Sequence, residues 1–267
     1  MKIFMKWGFL TLIVCFSLLQ ADIIHAESEK TKREEMHNFL SSVLDISKKN
    51  TYPNTPSMKE QVEPNELTKE LLEDGKVKIN NPHLIKMLNE TDLRPSPLAI
   101  GYRGMIYMGK WPLNYETKEQ NINWQYQKIN TNQKDNQNGY ESKNIHYNQE
   151  KERAVRGALT EKVDYPNQIK EMMLFEAQKQ AELPLSFDTV IGEGTDMNLS
   201  YGVPRKKVGI VEAYAPAVHE KGKVTFGDVY LKLKGSKKEI VIEGVEKKEV
   251  GAWIPIQDRL SITFRVQ

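Results

Sequence analysis

The fold class of this chain follows first from residues 224–245, VTFGDVYLKLKGSKKEIVIEGV. On both sides of Gly235 and Ser236, apolar and polar residues alternate, which is typical of strands with one buried face. The two small residues between these segments predict a tight turn. We therefore expect strands over 224–234 and 238–245 to pair as an antiparallel hairpin.

Further strands are predicted on both sides of this hairpin. Toward the C terminus, the segment 250–266 carries an alternating apolar set, Leu260, Ile262, Phe264 and Val266. Upstream, the segments 185–191 and 207–214 are also rich in residues that favour strands. Short strands joined by short turns favour an antiparallel sheet, because parallel strands need long crossover connections.

An earlier strand region precedes these segments. The segment 98–111 is rich in apolar and β-prone residues, and NINWQYQKI at 121–129 alternates ring and amide side chains. Asn138 and Gly139 form the strongest hairpin signal in the chain. We expect that turn to join the strand at 121–129 to a strand around 145–147.

Helices are predicted mainly in the first half of the chain. Helical spacing of apolar residues indicates a short helix over 35–46, and two more begin after the capping residues Asn65 and Asn81. A longer helix near 166–182 begins with Pro166 and has a buried side rich in methionine. The chain is therefore predicted to be an α+β protein with antiparallel sheets, a few short N-terminal helices and one longer helix.

The N terminus has the pattern of a secretory signal peptide. Residues 1–26 have two lysines near the start and an apolar run over 7–19, and we expect cleavage between Ala26 and Glu27. A membrane-spanning helix needs about 20 apolar residues, so this shorter run favours a cleaved signal peptide over the alternative, an uncleaved membrane anchor. Cys15 is the only cysteine, so the mature chain would be free of cysteine and would have neither disulfide nor thiolate ligand.

The composition of the chain indicates its domain organisation and excludes some classes of function. We expect a loosely ordered segment over 27–64 that contains the short helix, followed by a single α+β domain over 65–267. Lys and Arg number 38 against 36 Asp and Glu, with no long run of one sign, which argues against binding to nucleic acid. No later apolar stretch approaches the length of a transmembrane helix, so none is predicted in the mature chain.

Each motif for catalysis, cofactor binding or metal binding that begins in this sequence lacks a required residue. Gly192 and Gly194 lack the third glycine of a dinucleotide loop. His219 and Glu220 are not followed by the second histidine that a zinc protease needs, and we expect them on a turn. The calcium-like start at Asp135 has a histidine at the twelfth position. We therefore predict no catalytic, cofactor-binding or metal-binding residues.

Aromatic side chains in one stretch of the sequence indicate a possible binding site. The candidate ligand contacts lie in a stretch rich in Asn and Gln: Trp111, Tyr115, Trp124 and Tyr126. Rings beside amide side chains can stack on sugars or on partner chains while the amides supply hydrogen bonds. The alternative is that these rings form the buried side of the sheet.

Several long strings of this chain resemble one family. They include SSVLDISKKNTYPN at 41–54, NPHLIKMLNE at 81–90, LPLSFDTVIG at 183–192 and GAWIPIQDRLS at 251–261. In this order they resemble the YfkD-like family of exported bacterial proteins, and the likeness extends over roughly 41–261. The resemblance implies export to the cell exterior or the cell wall, and it supplies no catalytic or binding residue.

These observations predict an exported cell-envelope protein that acts as a non-enzymatic binding or structural module. Its expected partner is cell-wall polymer or another envelope protein. The alternative is a cell-wall hydrolase that uses a pair of carboxylates, as glycosidases do. Candidates for such a pair are Glu116, Asp188, Glu193, Glu212 and Asp228.

Overall fold

The computed structural model describes residues 43–55, 62–73, 77–91, 103–235 and 237–267. The predicted signal segment with Ala26, Glu27 and Cys15 lies outside these residues, as does most of the predicted helix over 35–46. From Asp45 onward the chain forms one compact unit.

The described residues are largely β-strand with some helices, consistent with the predicted α+β class. The helices are α1 (Glu66–Glu73), α2 (Pro82–Glu90) and α3 (Pro166–Ala181). The strands are β1 (Val43–Asp45), β2 (Arg103–Asp135), β3 (Lys143–Asn148), β4 (Arg153–Arg156), β5 (Ala158–Leu159), β6 (Asp188–Ile191), β7 (Asp196–Val203), β8 (Val208–Lys234), β9 (Lys237–Pro255) and β10 (Arg259–Val266).

Three long antiparallel strands form the centre of the fold. Strand β8 pairs with β2 from Val208 to Lys234. On its other side, β8 pairs with β10 over 209–214 and with β9 over 217–234. Strand β5 extends the outer side of β9, while β3 with β7 and β4 with β6 form two smaller antiparallel sheets. The predicted hairpin of β8 and β9 is confirmed.

Strand β8 corrects one prediction. We expected separate strands over 207–214 and 224–234 with His219 on a turn, but this region is one continuous strand of 27 residues. Gly222 lies within this strand and permits close contact with β2. A Cβ atom at this position would lie 2.3 Å from the backbone oxygen of Glu116.

Strand β2 likewise joins two predicted strands, 98–111 and 121–129, of which residues 98–102 lie outside the described part of the chain. Bulges allow the strand to continue past residues that interrupt pairing. Between Asn123 and Gln127, for example, the register shifts opposite Pro216, which has no N–H group to donate.

The predicted hairpin at Asn138 and Gly139 is wrong in its pairing. The turn itself is present, and the backbone N–H of Gly139 donates to the carbonyl of Asn136 at 3.1 Å. The strand before the turn pairs with β8, however, and the strand over Lys143–Asn148 pairs with β7. Partners distant in the sequence replace the local pairing that the turn indicated.

The helix predictions from capping residues are confirmed. Helix α3 spans Pro166–Ala181, close to the predicted 166–182. Asn81 caps α2, because its Oδ1 accepts a hydrogen bond from the N–H of His83 at 2.9 Å. Asn65 caps α1 in the same way, accepting from the N–H of Thr68 at 2.8 Å.

The described part of the predicted helix over 35–46 is different. Val43–Asp45 is a strand, so the helix does not extend to its predicted end. After this strand the chain is hydrogen-bonded to strand β6 and to the turn before β10. The side-chain amide of Asn50 donates to the carbonyl of Val190 at 2.9 Å and to Asp258 Oδ1 at 2.8 Å.

Two apolar clusters hold the helices on the sheet. One cluster joins α3 to β8 and β9 through Ile169, Met172, Met173, Val218, Val224, Phe226 and Ile254. The other joins α1 and α2 to the far part of the sheet through Leu71, Leu84, Leu88, Leu113, Val229 and Leu231.

Candidate ligand-binding groove

Three of the four predicted aromatic contacts are used in internal packing. Trp111 donates from Nε1 to the carbonyl of Met108 at 2.9 Å and packs against the α1–α2 cluster. Tyr115 is only 2% exposed. Trp124 is half-buried against the α3 cluster. We therefore do not retain Tyr115 as a ligand contact, and the other two rings offer a ligand little free surface.

Tyr126 belongs to a stack of rings that the sequence did not indicate. Its ring centroid lies 5.1 Å from that of Trp253, and the His219 ring stacks on the same Trp253 at 4.2 Å. His219 and Trp253 face each other across β8 and β9, a pairing that depends on strand register. Burial lowers the pKa of His219, so the neutral ring is favoured in the stack. The rings cover one another's faces.

A concavity lies along α3 in the described part of the chain. It has a volume of about 940 Å³ and is bounded by α3, by Pro82 and His83 at the start of α2, and by the segment Ser186–Asp188. Thr55 and Val62 contribute to its wall. This volume is within the range of ligand-binding clefts in proteins, about 300–1,000 Å³.

The sequence of α3 explains why one side of it faces a groove. Its buried residues are Ile169, Met172, Met173 and Ala177. A second stripe at helical spacing lines the groove and includes Lys170, Leu174, Phe175, Gln178 and Lys179. This stripe is apolar in its middle and basic at both ends, and the Phe175 side chain is 36% exposed.

Both positively and negatively charged side chains line the groove. The Nε2 atom of His83 lies 2.6 Å from Glu171 Oε2, and Arg156 lies 3.7 Å from Asp188. Lys170 Nζ lies 5.1 Å from the centroid of the Phe187 ring and covers one of its faces. The acids Glu171 and Asp188 therefore have partners within the protein.

One polar atom at the groove has no partner in the described part of the chain. The Oδ1 atom of Asn80 is out of contact with solvent, and no donor reaches it. Asn80 lies just before the start of α2 and lines the groove. A buried acceptor without a donor is costly in free energy.

A buried polar network holds α3 in this position. The Glu220 side chain is 0% exposed and accepts hydrogen bonds from Tyr115 at 2.8 Å, Thr117 at 2.6 Å and Gln120 at 3.0 Å. Gln120 also donates to the carbonyl of Ala177 in α3 at 3.1 Å. Burial and the neighbouring Glu220 raise the pKa of the Tyr115 hydroxyl. The network fixes α3 on the sheet and thereby fixes one wall of the groove.

The five carboxylates considered for hydrolysis are spread over the sheets and loops. Four of them have partners: Glu116 with Lys247, Asp188 with Arg156, Glu212 with Lys128 and Asp228 with Tyr107. The hydrogen bond from Lys128 holds the pKa of Glu212 below its usual range, which disfavours a role as proton donor. Glu193 is exposed.

The described residues form neither a metal-binding cluster nor a membrane-spanning helix. Within them, no group of three or more His, Cys, Asp or Glu side chains is arranged to hold a metal ion. Nor does any of the described helices have the length and apolar character needed to cross a membrane.

Comparison with known proteins places the chain in a family. The family model described as YfkD-like protein matches residues 40–267. This chain belongs to the YfkD-like family. A curated relative from Bacillus subtilis (strain 168), named "Uncharacterized protein YfkD", is 48% identical over 257 residues, which cover 96% of this chain and 95% of that protein. No solved structure matches the chain. The family match includes every element that forms the groove.

Proposed function

We propose that this protein is an exported envelope protein that binds wall material or an envelope partner without catalysing a reaction. Its ligand lies in the groove along α3. The observation that carries the proposal is the outer stripe of α3, where the 36% exposed Phe175 lines a cleft together with Leu174, which also packs against the α3 cluster. Apolar side chains in a cleft with a few polar groups are typical of ligand sites.

The surrounding contacts support a binding role. Helix α3 is anchored on its inner side by four buried apolar residues and by the hydrogen bond from Gln120. Its outer side chains are therefore held on a rigid element, which reduces the entropy lost when a ligand binds. Of the aromatic residues of β2, Tyr115 and Trp124 pack in the cluster under α3, and Trp111 packs against the α1–α2 cluster.

Export is the second part of the proposal. It is supported by the short apolar run over 7–19, the preceding lysines and the small residue at Ala26. Sequencing the N terminus of protein recovered from the medium or the wall should give Glu27 as the first residue. Retention of residues 1–26 would instead mean that the segment remains as a membrane anchor.

Co-sedimentation of the protein with purified cell wall tests the binding role. Phe175→Ser should reduce the bound fraction, because it removes the most exposed apolar side chain of the groove. Leu199→Ser is the matched control, since Leu199 is similarly exposed at 39% but lies on β7 outside the groove. Equal binding by both folded variants would contradict the proposed site. Release of soluble wall fragments would indicate a hydrolase.

A further inference from the structure

We infer that one face of the large sheet, at the end where the hairpin of β8 and β9 turns, binds the surface of an anionic lipid membrane. This surface is separate from the groove along α3, because none of its residues lines the groove. Three observations carry the inference: a row of unpaired cations, exposed apolar side chains beside that row, and the small size of the surface.

The surface, here called the tip face, consists of three cross-strand rows. In each row a residue of β2 pairs with one of β8, which in turn pairs with one of β9. The first row is basic, the second mixed and the third apolar or aromatic: Arg103, Lys234 and Lys237; Met105, Lys232 and Glu239; Tyr107, Tyr230 and Val241. Leu231 and Ile240 alternate with these residues and pack with α1 and α2. The tip face is therefore the side of the sheet turned away from those helices.

The first row holds an excess of positive charge. Arg103, Lys234 and Lys237 are exposed, and none of them forms an ion pair with a carboxylate of the described residues. The one acid of the tip face, Glu239, already pairs with Lys232 at 3.1 Å. Like charges directly opposite each other destabilise a sheet. An anionic surface would relieve this repulsion and would attract the tip face.

Exposed apolar side chains lie beside these cations. Met105 and Tyr107 on the tip face are 52% and 56% exposed, and Ile106 between them is 45% exposed. The ring of Tyr107 contacts that of Tyr230, with centroids 5.0 Å apart, and its hydroxyl donates to Asp228 at 2.8 Å. Asp228 belongs to the next row toward the centre of the sheet, where acidic residues limit the basic end. Tyrosine is typical of membrane–water interfaces, because its ring is apolar and its hydroxyl is polar.

The size of the tip face favours a membrane over a protein partner. A strand spacing of about 4.8 Å and a rise of about 3.4 Å per residue give the tip face an area of about 250 Å². A specific protein interface buries about 800 Å² on each partner, so this face is too small to hold a protein by itself. A membrane is a continuous surface that needs no matched shape, and a few cations and apolar side chains bind it reversibly.

The apolar side chains also distinguish a membrane from a soluble phosphate polymer. Such a polymer would pair with the cations of the first row but would leave Met105 and Tyr107 in water. The surface of an anionic membrane offers phosphate groups and apolar chains next to each other, so it would cover both parts of the tip face.

Co-sedimentation with lipid vesicles tests this inference. Residues 1–26 are omitted, because an apolar signal segment can bind lipid by itself, and the chain from Asp45 onward forms one compact unit. The protein should bind vesicles made of equal parts of phosphatidylglycerol and phosphatidylcholine, and it should not bind vesicles of phosphatidylcholine alone. Raising the salt concentration to about 1 M should release it, because salt screens the attraction.

Two pairs of variants, shown to be folded by circular dichroism, locate the contact. Lys237→Gln should weaken binding to the mixed vesicles about fivefold. Lys134→Gln, at an exposed lysine near the opposite end of the sheet, should leave binding unchanged. Met105→Ser should also weaken binding about fivefold. Ile122→Ser, at a 38% exposed position elsewhere on β2, should not.

Other outcomes would overturn the inference. These are an absence of vesicle binding at low salt, equal binding with and without phosphatidylglycerol, and equal effects of the substitutions at the tip face and at the control positions. Polyphosphate binding that Met105→Ser does not weaken, without vesicle binding, would assign the cations to a phosphate polymer instead. Self-association that is lost in Met105→Ser, again without vesicle binding, would assign the tip face to a second copy of the chain.

Discussion

The side-chain amide of Asn54 pairs with both backbone polar groups of Val190, as a neighbouring strand would. Asn54 Oδ1 accepts from the N–H of Val190 at 2.9 Å, and Nδ2 donates to its carbonyl at 2.9 Å. The same Nδ2 donates to Asp258 Oδ1 at 2.7 Å. One side chain thus occupies the free edge of β6 and joins the N-terminal segment to the turn between β9 and β10.

This geometry predicts that Asn54→Asp destabilises the protein more than Asn54→Ala. The alanine variant loses hydrogen bonds, at a cost of about 1–3 kcal/mol. The aspartate variant replaces the donating Nδ2 by an oxygen that faces a carbonyl and the Asp258 carboxylate. Denaturant melts at pH 7 would measure both free energies of unfolding. A smaller loss for Asn54→Asp than for Asn54→Ala would contradict the assigned hydrogen bonds.

The buried Glu220 gives a second prediction. Glu220→Leu leaves the donors of Tyr115, Thr117 and Gln120 without their acceptor, and we expect a loss of about 3–5 kcal/mol in the free energy of unfolding. Glu220→Gln keeps one acceptor oxygen and should cost less.

The exposed Glu246 on β9 provides the control for this pair of variants. Its replacement by Leu should change stability by less than about 0.5 kcal/mol, as is usual at surface positions. Similar losses for Glu220→Leu and Glu246→Leu would show that the Glu220 network does not hold the sheet and α3 together.

Tyr115 predicts a dependence of stability on alkaline pH. Its pKa in the folded protein lies above the ordinary value of 10.0, mainly because the ring is buried. As pH rises above 10.0, the unfolded chain loses this proton while the folded protein keeps it, so folding becomes less favourable. Between pH 9 and 11, wild type should therefore lose stability more steeply than Tyr115→Phe. Parallel curves for the two proteins would contradict the shifted pKa.

The C-terminal strand gives a fourth prediction. Leu260 is 0% exposed, whereas Phe264 is half-buried and stacks on Tyr201 with ring centroids 4.7 Å apart. Leu260→Ala should cost about 2–5 kcal/mol and Phe264→Ala less, about 1–3 kcal/mol. Urea melts of both variants test this order. A loss below about 1 kcal/mol for Leu260→Ala would mean that the facing of β10 is misassigned.

Local signals predicted helices α1, α2 and α3 and the hairpin of β8 and β9 well. Asn65, Asn81 and Pro166 act within one helical turn, so their effect on the backbone does not depend on distant residues. The tight turn at Gly235 is of the same kind, because Lys234 and Lys237 face each other directly across it.

Long-range pairing could not be predicted in this way. Strand β2 meets β8 about a hundred residues later in the chain, and no local signal specifies that register. Asn138 and Gly139 indicated a hairpin, but the strands on either side have more extensive partners elsewhere. The need for a glycine at position 222 could not be predicted for a related reason, since the nearby backbone of Glu116 comes from another strand.

The candidate site was also beyond the sequence alone. The rings of β2 stood out in the sequence because of their type, yet Tyr115 is buried by residues of β8 and α3. The groove residues are ordinary lysines, amides and phenylalanines. Leu174 and Phe175 line the cleft because the buried side of α3 packs on the sheet, and this packing is seen only in the structure.

Amide hydrogen exchange with and without purified cell-wall material tests the central claim most directly. Binding in the groove predicts slower exchange in α3, at the start of α2 and over 186–188, the segments that line the groove. The edge of β2 over 115–128 should exchange at the same rate in both conditions. Protection confined to β2, with α3 unchanged in the presence of bound wall, would contradict the groove as the binding site.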